Sequence, residues 1–295
     1  MDFISYSRTS HIEGSGLQKG DDRASNMPMS QLRSGFWVAE EKVDGANSGI
    51  SFSDGYELTL QSRGAVLSRS KDVWRERHFN HLKTWADVNE GELLNRLEDR
   101  YVLFGEWMGA AHSVFYDHLP HLMLEFDVWD RKGEFFLSTL ARRELLRGLD
   151  ISSVPVLYSG SIDGPEHLRS LVKPSLFRTD DWEESLARSC AMVGDDYAVR
   201  RARMFDGGTS EGLYFKLEDG DRTIARAKWV EPGFVQIILD SDVHWQSTFV
   251  VPNFLGRSLP EFPPNLVRQN AVGGDYDPDK PDEWAALMQP LGLTP

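Results

Sequence analysis

The chain has 295 residues with 40% hydrophobic content, enough for one large domain or for a large domain plus a small one. Its net charge of −14 argues against binding nucleic acid over the whole surface, because neutralising phosphates takes Lys and Arg. No apolar run approaches the ~20 residues of a membrane span, no basic-then-apolar start marks a secretion signal, and Cys190 stands alone, so a reducing, cytoplasmic setting is expected.

The charge is uneven. Residues 229–295 hold nine Asp/Glu and three Lys/Arg, which leaves the first 228 residues closer to neutral. Within those lie two basic clusters, Arg142-Arg143 with Arg147 and Arg200-Arg201 with Arg203. Each alone reads as a solvated helix face.

Taken in order, residues 10–34 are rich in Ser, Gly, Asp and Met and read as loop. Phe36 to Glu41 has strand character and leads into Lys42, and a second strand is expected from Gly49 to Phe52. Ser53-Asp54-Gly55 then turns the chain into the alternating Tyr56–Leu60, since Asp-Gly between β-patterned runs signals a hairpin. Helices are expected over 74–86 and 90–98, and strands over Tyr101–Trp107 and Leu122–Trp129. Ser138 is an N-cap for a helix through Leu149, and 180–204 carries a long helical pattern. Gly212–Leu217 and Thr223–Trp229 flank Asp219-Gly220-Asp221 as two more strands. With no regular βαβ alternation, the pattern predicts an α+β domain of antiparallel sheets with flanking helices. After Pro232 the chain turns Pro-rich and acidic, with one short helix expected near Val235–Leu239 and a lid or arm beyond it. These shifts divide the chain into a main domain over 1–230 and a C-terminal extension over 231–295.

The chemistry concentrates in a few short stretches. Glu41-Lys42-Val43-Asp44-Gly45-Ala46-Asn47 sets a lysine among carboxylates at a strand end, before a glycine that lets the chain turn. A lysine with a pKa of about 10.4 is a poor nucleophile until desolvation or nearby cations lower it. Arg226 and Lys228 alternate in one strand, so both face one side and are candidates for those cations and for holding phosphate oxygens. Taken alone, the heptapeptide fits a turn lysine as well as a nucleophile, and Arg226 and Lys228 fit a solvated strand face. Phe104-Gly105-Glu106-Trp107 ends an apolar strand in an acid that can accept from ribose hydroxyls, or is an ordinary strand-end carboxylate. Phe126 suits base stacking and equally a core. Glu211 and Lys216 sit five apart across one strand, and the acid suits a metal site, because Mg²⁺ uses one or two carboxylates plus phosphates. His112 reads equally as a phosphate contact or a structural histidine, and Trp107 reads as packing.

In order, Lys42-Val43-Asp44-Gly45, Ser62-Arg63-Gly64, Phe104-Gly105-Glu106, Phe126-Asp127, Glu211-Gly212 with Lys216, and Arg226-Ala227-Lys228 resemble the ordered motifs of the covalent nucleotidyltransferases. That superfamily holds ATP-dependent DNA ligases, RNA ligases and mRNA capping enzymes. No motif is specific alone; the six in sequence are, over roughly residues 36–229. Phe3-Ile4-Ser5-Tyr6-Ser7, Trp37 to Lys42 and Tyr116-Asp117-His118-Leu119-Pro120 are most similar to the phage T4-type double-strand-break-sealing RNA ligases and their bacterial relatives.

The resemblance implies an ATP-grasp-like ligase adenylation fold and an ATP-dependent RNA ligase acting in RNA repair. Lys42 would take AMP from ATP, with Arg226 and Lys228 on the α-phosphate. Glu41 would lie against adenine, Phe126 would stack on it and Glu106 would hold the ribose. Asn47 and Arg63 would contact sugar, phosphate or the RNA end; Lys216 would help with phosphates, and Glu211 would act with Mg²⁺ or Mn²⁺. The AMP would pass to an RNA 5′-phosphate, and a 3′-hydroxyl would displace it. One departure stands out: Arg226 occupies a position where the family usually has lysine, which keeps the charge and adds a planar fork. Only 67 residues follow Lys228, without the five-strand pattern of an OB-fold, which favours an RNA ligase over a minimal DNA ligase or capping enzyme. A tail this acidic makes a poor RNA-binding module, so an end-healing kinase or phosphatase partner is an expectation, and no membrane partner is. A non-catalytic nucleotide- or RNA-binding module and a protein-modifying AMP transferase are the readings from other classes.

Overall fold

The computed structural model describes residues 4–17, 26–240 and 249–256. The opening segment is not all loop: β1 (Ser10–Ile12) and β2 (Asn26–Met27) precede a 3-10 turn over Met29–Arg33. β3 (Phe36–Lys42), β4 (Ala46–Phe52) and β5 (Leu58–Ser62) follow, with the turn at Asp54-Gly55 between the last two; β4 begins three residues before the expected strand and β5 two residues after it. A 3-10 turn over Trp74–Phe79 leads into α1 (Asn80–Val88) and α2 (Glu90–Leu97). β6 (Tyr101–Trp107), β7 (Met123–Asp130) and β8 (Phe135–Leu137) come next. The Ser138 hydroxyl accepts from the Ala141 N–H and caps α3 (Thr139–Leu146), which stops short of Leu149. β9 (Ser152–Ser153), β10 (Val156–Gly160) and α4 (Pro165–Leu171) were not legible in the pattern.

The long helical pattern of 180–204 is two helices, α5 (Trp182–Val193) and α6 (Tyr197–Arg201). Gly194 separates them, with a φ of 72° that closes the first in the left-handed conformation. β11 (Gly212–Asp219) and β12 (Arg222–Val230) form a hairpin turning at Gly220. α7 (Pro232–Asp240) begins the C-terminal stretch. Its Phe234 and Val235 pack with Val43, Met108 and Phe205, and Asn253 bonds to the Tyr116 N–H and the Met108 carbonyl. The described part of that stretch is therefore built into the main core. Most of the proline-rich tail lies outside the described residues.

The strands form one sheet in the order β10-β3-β11-β12-β8-β7-β6-β4-β5, antiparallel along that path. The edge of β12 away from β11 is shared. Arg222 and Thr223 pair with β8, whereas Ala227 and Lys228 pair with β1. The sheet thus has two halves, β10-β3-β11-β12 and β8-β7-β6-β4-β5, joined at a short seam.

Alternation assigns the faces of the first half. The rows Lys42-Gly212-Val230, Glu40-Tyr214-Lys228 and Val38-Lys216-Arg226 share one face. Ala39-Phe215-Ala227 and Leu213-Trp229 lie on the other, in a core closed by Leu168 and Leu171 of α4. The second half buries Ile50, Phe52, Leu60 and Leu103 against Leu82 of α1 and Leu93 and Leu97 of α2. With each half covered from outside, the charged rows are left to face the space between them.

Candidate active site

Lys42 ends β3, and its ammonium lies 2.6 Å from the Glu211 carboxylate at the start of β11. The tight turn after it depends on Gly45. A Cβ there would stand 2.7 Å from the Met108 sulfur and 3.0 Å from the Trp107 carbonyl oxygen. Asp44 is pinned in that turn: its carboxylate accepts the N–H groups of Ser113 (2.6 Å) and Val114 (2.9 Å), and its own N–H donates to the Tyr116 hydroxyl. His112 lies 3.9 Å from Asp44. Asn47 on β4 pairs in register with Glu106 on β6, and Arg63 follows β5 close enough for its charge to act on Glu106.

The electrostatics of Lys42 differ from the sequence expectation. Burial pulls its pKa down, but Glu211, Glu106 and Asp44 outweigh burial and hold it above the ordinary lysine value. Carboxylates, not cations, dominate the surroundings of the amine. Burial in turn pushes Glu106 up to about 8 and Glu211 up to about 7, against the pull of Lys42. Asp44 is raised as well, again by burial. The pocket holds more acid than base and retains protons near neutrality.

Among the described residues, no three His, Cys, Asp or Glu side chains gather to hold a metal by themselves. Glu106 and Glu211 nevertheless each bury one oxygen, Oε2, with no hydrogen-bond partner among the described residues. The charge of Glu211 also raises Glu106. Two such acceptors fit a hard divalent cation that completes its shell with water or phosphate.

Two expected site residues lie elsewhere. Glu41 sits on the face opposite Lys42, as strand alternation requires, buried and accepting the Leu176 N–H at 3.3 Å. Its Oε1 has no hydrogen-bond partner among the described residues, and burial pushes the carboxyl up to about 7. Lys216 is fully buried and offers no exposed surface to a phosphate. It ion-pairs with Glu40 at 2.8 Å and with Asp127 at 3.1 Å, and donates to the Phe126 carbonyl.

Phe126 is the extra residue of a bulge on β7: Phe104 faces Asp127 and Gly105 faces Glu125, so it has no partner on β6. The bulge places its ring 5.2 Å from that of Tyr6 and 6.2 Å from that of Tyr214. Arg226 pairs with Asp127 at 3.1 Å, and its guanidinium packs on Phe136 at 3.7 Å and Tyr6 at 4.8 Å. Lys228 lies one row nearer Lys42 on the same face, and its charge acts on Glu211.

A continuous set of buried ion pairs underlies these groups. Arg142 of α3 is fully buried and bonds Glu40 and Glu125; Glu40 bonds Lys216; Lys216 and Arg226 share Asp127; and Tyr6 donates to Asp127. Three cations meet three carboxylates, so the set is neutral. Arg142 is therefore no solvated helix residue, and neither is Arg200, which is buried against Asp195. Glu40, Arg142, Tyr6 and Tyr214 escaped sequence reasoning. Glu40 and Arg142 are 102 positions apart, and no local pattern links them.

A family model described as RNA ligase matches residues 35–230. A search of curated proteins finds no match. Among solved structures, the chain is similar to Naegleria gruberi RNA ligase with PPi, at 16% identity and a TM-score of 0.50, over 81% of this chain and 59% of that one. It is also similar to an arginine-to-alanine mutant of Naegleria gruberi RNA ligase with ATP and Mn, at 16% identity and a TM-score of 0.51, over the same shares. The likeness is one of fold, and this chain spans 59% of the length of those enzymes.

Proposed function

The chain belongs to the RNA ligase family, and we propose that it is an ATP-dependent RNA ligase that carries AMP covalently on Lys42. The observation that carries this reading is the Lys42 amine at a strand end, 2.6 Å from Glu211 in an acidic pocket shared with Glu106. A module devoted to nucleotide binding alone has no need of that amine.

In this reading Lys42 releases a proton to water and its nitrogen attacks the α-phosphorus of ATP; a phosphoramidate P–N bond forms, the bond from the α-phosphorus to the bridging oxygen breaks and pyrophosphate leaves. Phosphates held by Lys228 and Arg226 lie along the basic rows of β12, and Phe126 offers its ring to adenine at the bulge. Glu106 accepts from the ribose hydroxyls, and Asn47 and Arg63 take the sugar, a phosphate or the RNA end. Glu41, buried on the opposite face of β3, holds the Leu176 N–H and is left out of the nucleotide contacts. Lys216 acts through Asp127, by fixing the network on which Arg226 rests. A divalent cation, Mg²⁺ or Mn²⁺, held by Glu211 and Glu106 would supply positive charge against the phosphates. The AMP then passes to an RNA 5′-phosphate, and a 3′-hydroxyl displaces it to close the phosphodiester. RNA repair in the cytoplasm, with an end-healing kinase or phosphatase upstream, is the setting this chemistry suits.

The test is sealing of a nicked duplex labelled at the 5′-phosphate, with RNA or DNA on the 3′-hydroxyl side. Sealing that requires an RNA 3′-hydroxyl supports the reading. Equal or better sealing of an all-DNA nick replaces it with a minimal DNA ligase. Efficient sealing by the chain alone removes the motive for a partner.

A further inference from the structure

Trp74 is 74% exposed, although the segment that carries it is firmly held. Leu67 and Phe79 on either side are buried in the core. Lys83, only 1% exposed, donates to the Ser70 carbonyl and to Glu76, both at 2.7 Å. Glu76 also accepts the Ser68 N–H, and the Asn80 amide donates to the Lys71 carbonyl. The indole is thus presented to water by a braced scaffold.

The surroundings are basic in an acidic protein. Residues 63–83 carry six Lys/Arg and two Asp/Glu, against a net charge of −14 for the chain. Some of these cations are engaged locally: Arg69 pairs with Asp87 and Glu90, and Lys83 with Glu76. Arg63 and Arg75 are exposed and make no ion pair among the described residues. The Arg77 guanidinium covers the Trp74 ring at 4.2 Å, which can shield one face of the indole and leaves the other for a second planar group. The segment begins at the site, with Arg63. Arg63 directly follows β5, which pairs with β4 beside Asn47, and the Arg63 charge acts on Glu106.

We infer that Arg63, Trp74, Arg75 and Arg77 form an RNA-binding platform, on which the strand entering the Lys42 pocket stacks a base on Trp74 and sets phosphates against Arg63 and Arg75. The inference rests on the RNA ligase reading above and adds where the polynucleotide is held. An exposed aromatic face in a basic segment binds single-stranded nucleic acid without regard to sequence, because every base has a face to stack. It also gives an acidic chain an RNA contact of its own, independent of its tail.

The test uses the full chain and a fluorescently labelled, 5′-phosphorylated single-stranded RNA oligonucleotide, with anisotropy as readout. Self-adenylation, read as mass gain with ATP and Mg²⁺, is followed in parallel. W74A is expected to bind the RNA roughly 5- to 100-fold more weakly, with W74F restoring most of the loss. R75A is expected to reduce the slope of log affinity against log salt by about 0.7. All three variants should self-adenylate as the wild type does. Unchanged RNA binding by W74A, or no RNA binding by a wild type that self-adenylates, overturns the platform and leaves the enzymatic reading standing. A change of oligomeric state in W74A also overturns it, by assigning the face to a second copy of the chain. Absence of self-adenylation in the wild type instead defeats the enzymatic reading itself.

Discussion

Lys216 and Arg226 stand opposite each other on β11 and β12, and both close on the carboxylate of Asp127 on β7. This shared carboxylate ties the two halves of the sheet together beside the seam at Thr223. Burial opposes ionisation of Asp127, but Lys216 and Arg226 outweigh it and hold the carboxyl below its ordinary value. Its place on the wall of the site couples the stability of the fold to the geometry of the basic rows.

Asp127→Asn is therefore expected to cost about 3–5 kcal/mol, because it strands two buried cations. Urea denaturation of the two proteins measures this. A loss under about 1 kcal/mol would show that the cations find other partners, such as Glu40, and that Asp127 is not the joint described here.

Glu41 gives a pH-dependent prediction. Burial raises its carboxyl from 4.5 to about 7, so the folded state binds a proton that the unfolded state releases. The stability this contributes is present below the unfolded value and is lost as pH rises through about 7. Glu41→Gln should melt with the wild type near pH 4 and above it at pH 8, by up to about 3 kcal/mol of stability. Thermal melts across that range check it, and a gap that does not widen with pH counts against a buried, raised carboxyl.

The hairpin turns at Asp54-Gly55 and Gly220, the cap at Ser138 and the long strands were legible because each is encoded by neighbours in the chain. Lys42 and Glu211 were legible as candidates through the order of their motifs. What sequence could not supply was which cations meet which carboxylates. Arg142 looks like any arginine on a polar helix face, and only the fold brings Glu40 and Glu125 to it. Glu41 and Lys42 look interchangeable in the chain, yet the period of two sends them to opposite faces. The expectation of a cation-activated Lys42 failed for the same reason: Arg226 is occupied by Asp127, and the nearest charges to the amine are acidic.

Glu211→Gln should lower the pKa of Lys42, since it removes the largest influence raising it. The rate at which an amine-directed reagent modifies Lys42, mapped by peptide mass, should rise at lower pH in the variant than in the wild type. Self-adenylation should nonetheless fall by at least about 100-fold if the lost carboxylate also serves the cation, as expected for removal of a charge-stabilising group from a transition state. Coincident modification profiles would show that Glu211 does not govern the amine.

Intact-mass spectrometry decides whether Lys42 is the residue that takes AMP. The purified chain is first incubated with pyrophosphate to strip any AMP already carried, then with ATP and Mg²⁺, beside Lys42→Ala. The predicted result is a gain of one AMP in the wild type, mapped by peptide digestion to Lys42, and none in the variant. No gain in the wild type, or an equal gain in Lys42→Ala, would show that Lys42 does not carry the nucleotide.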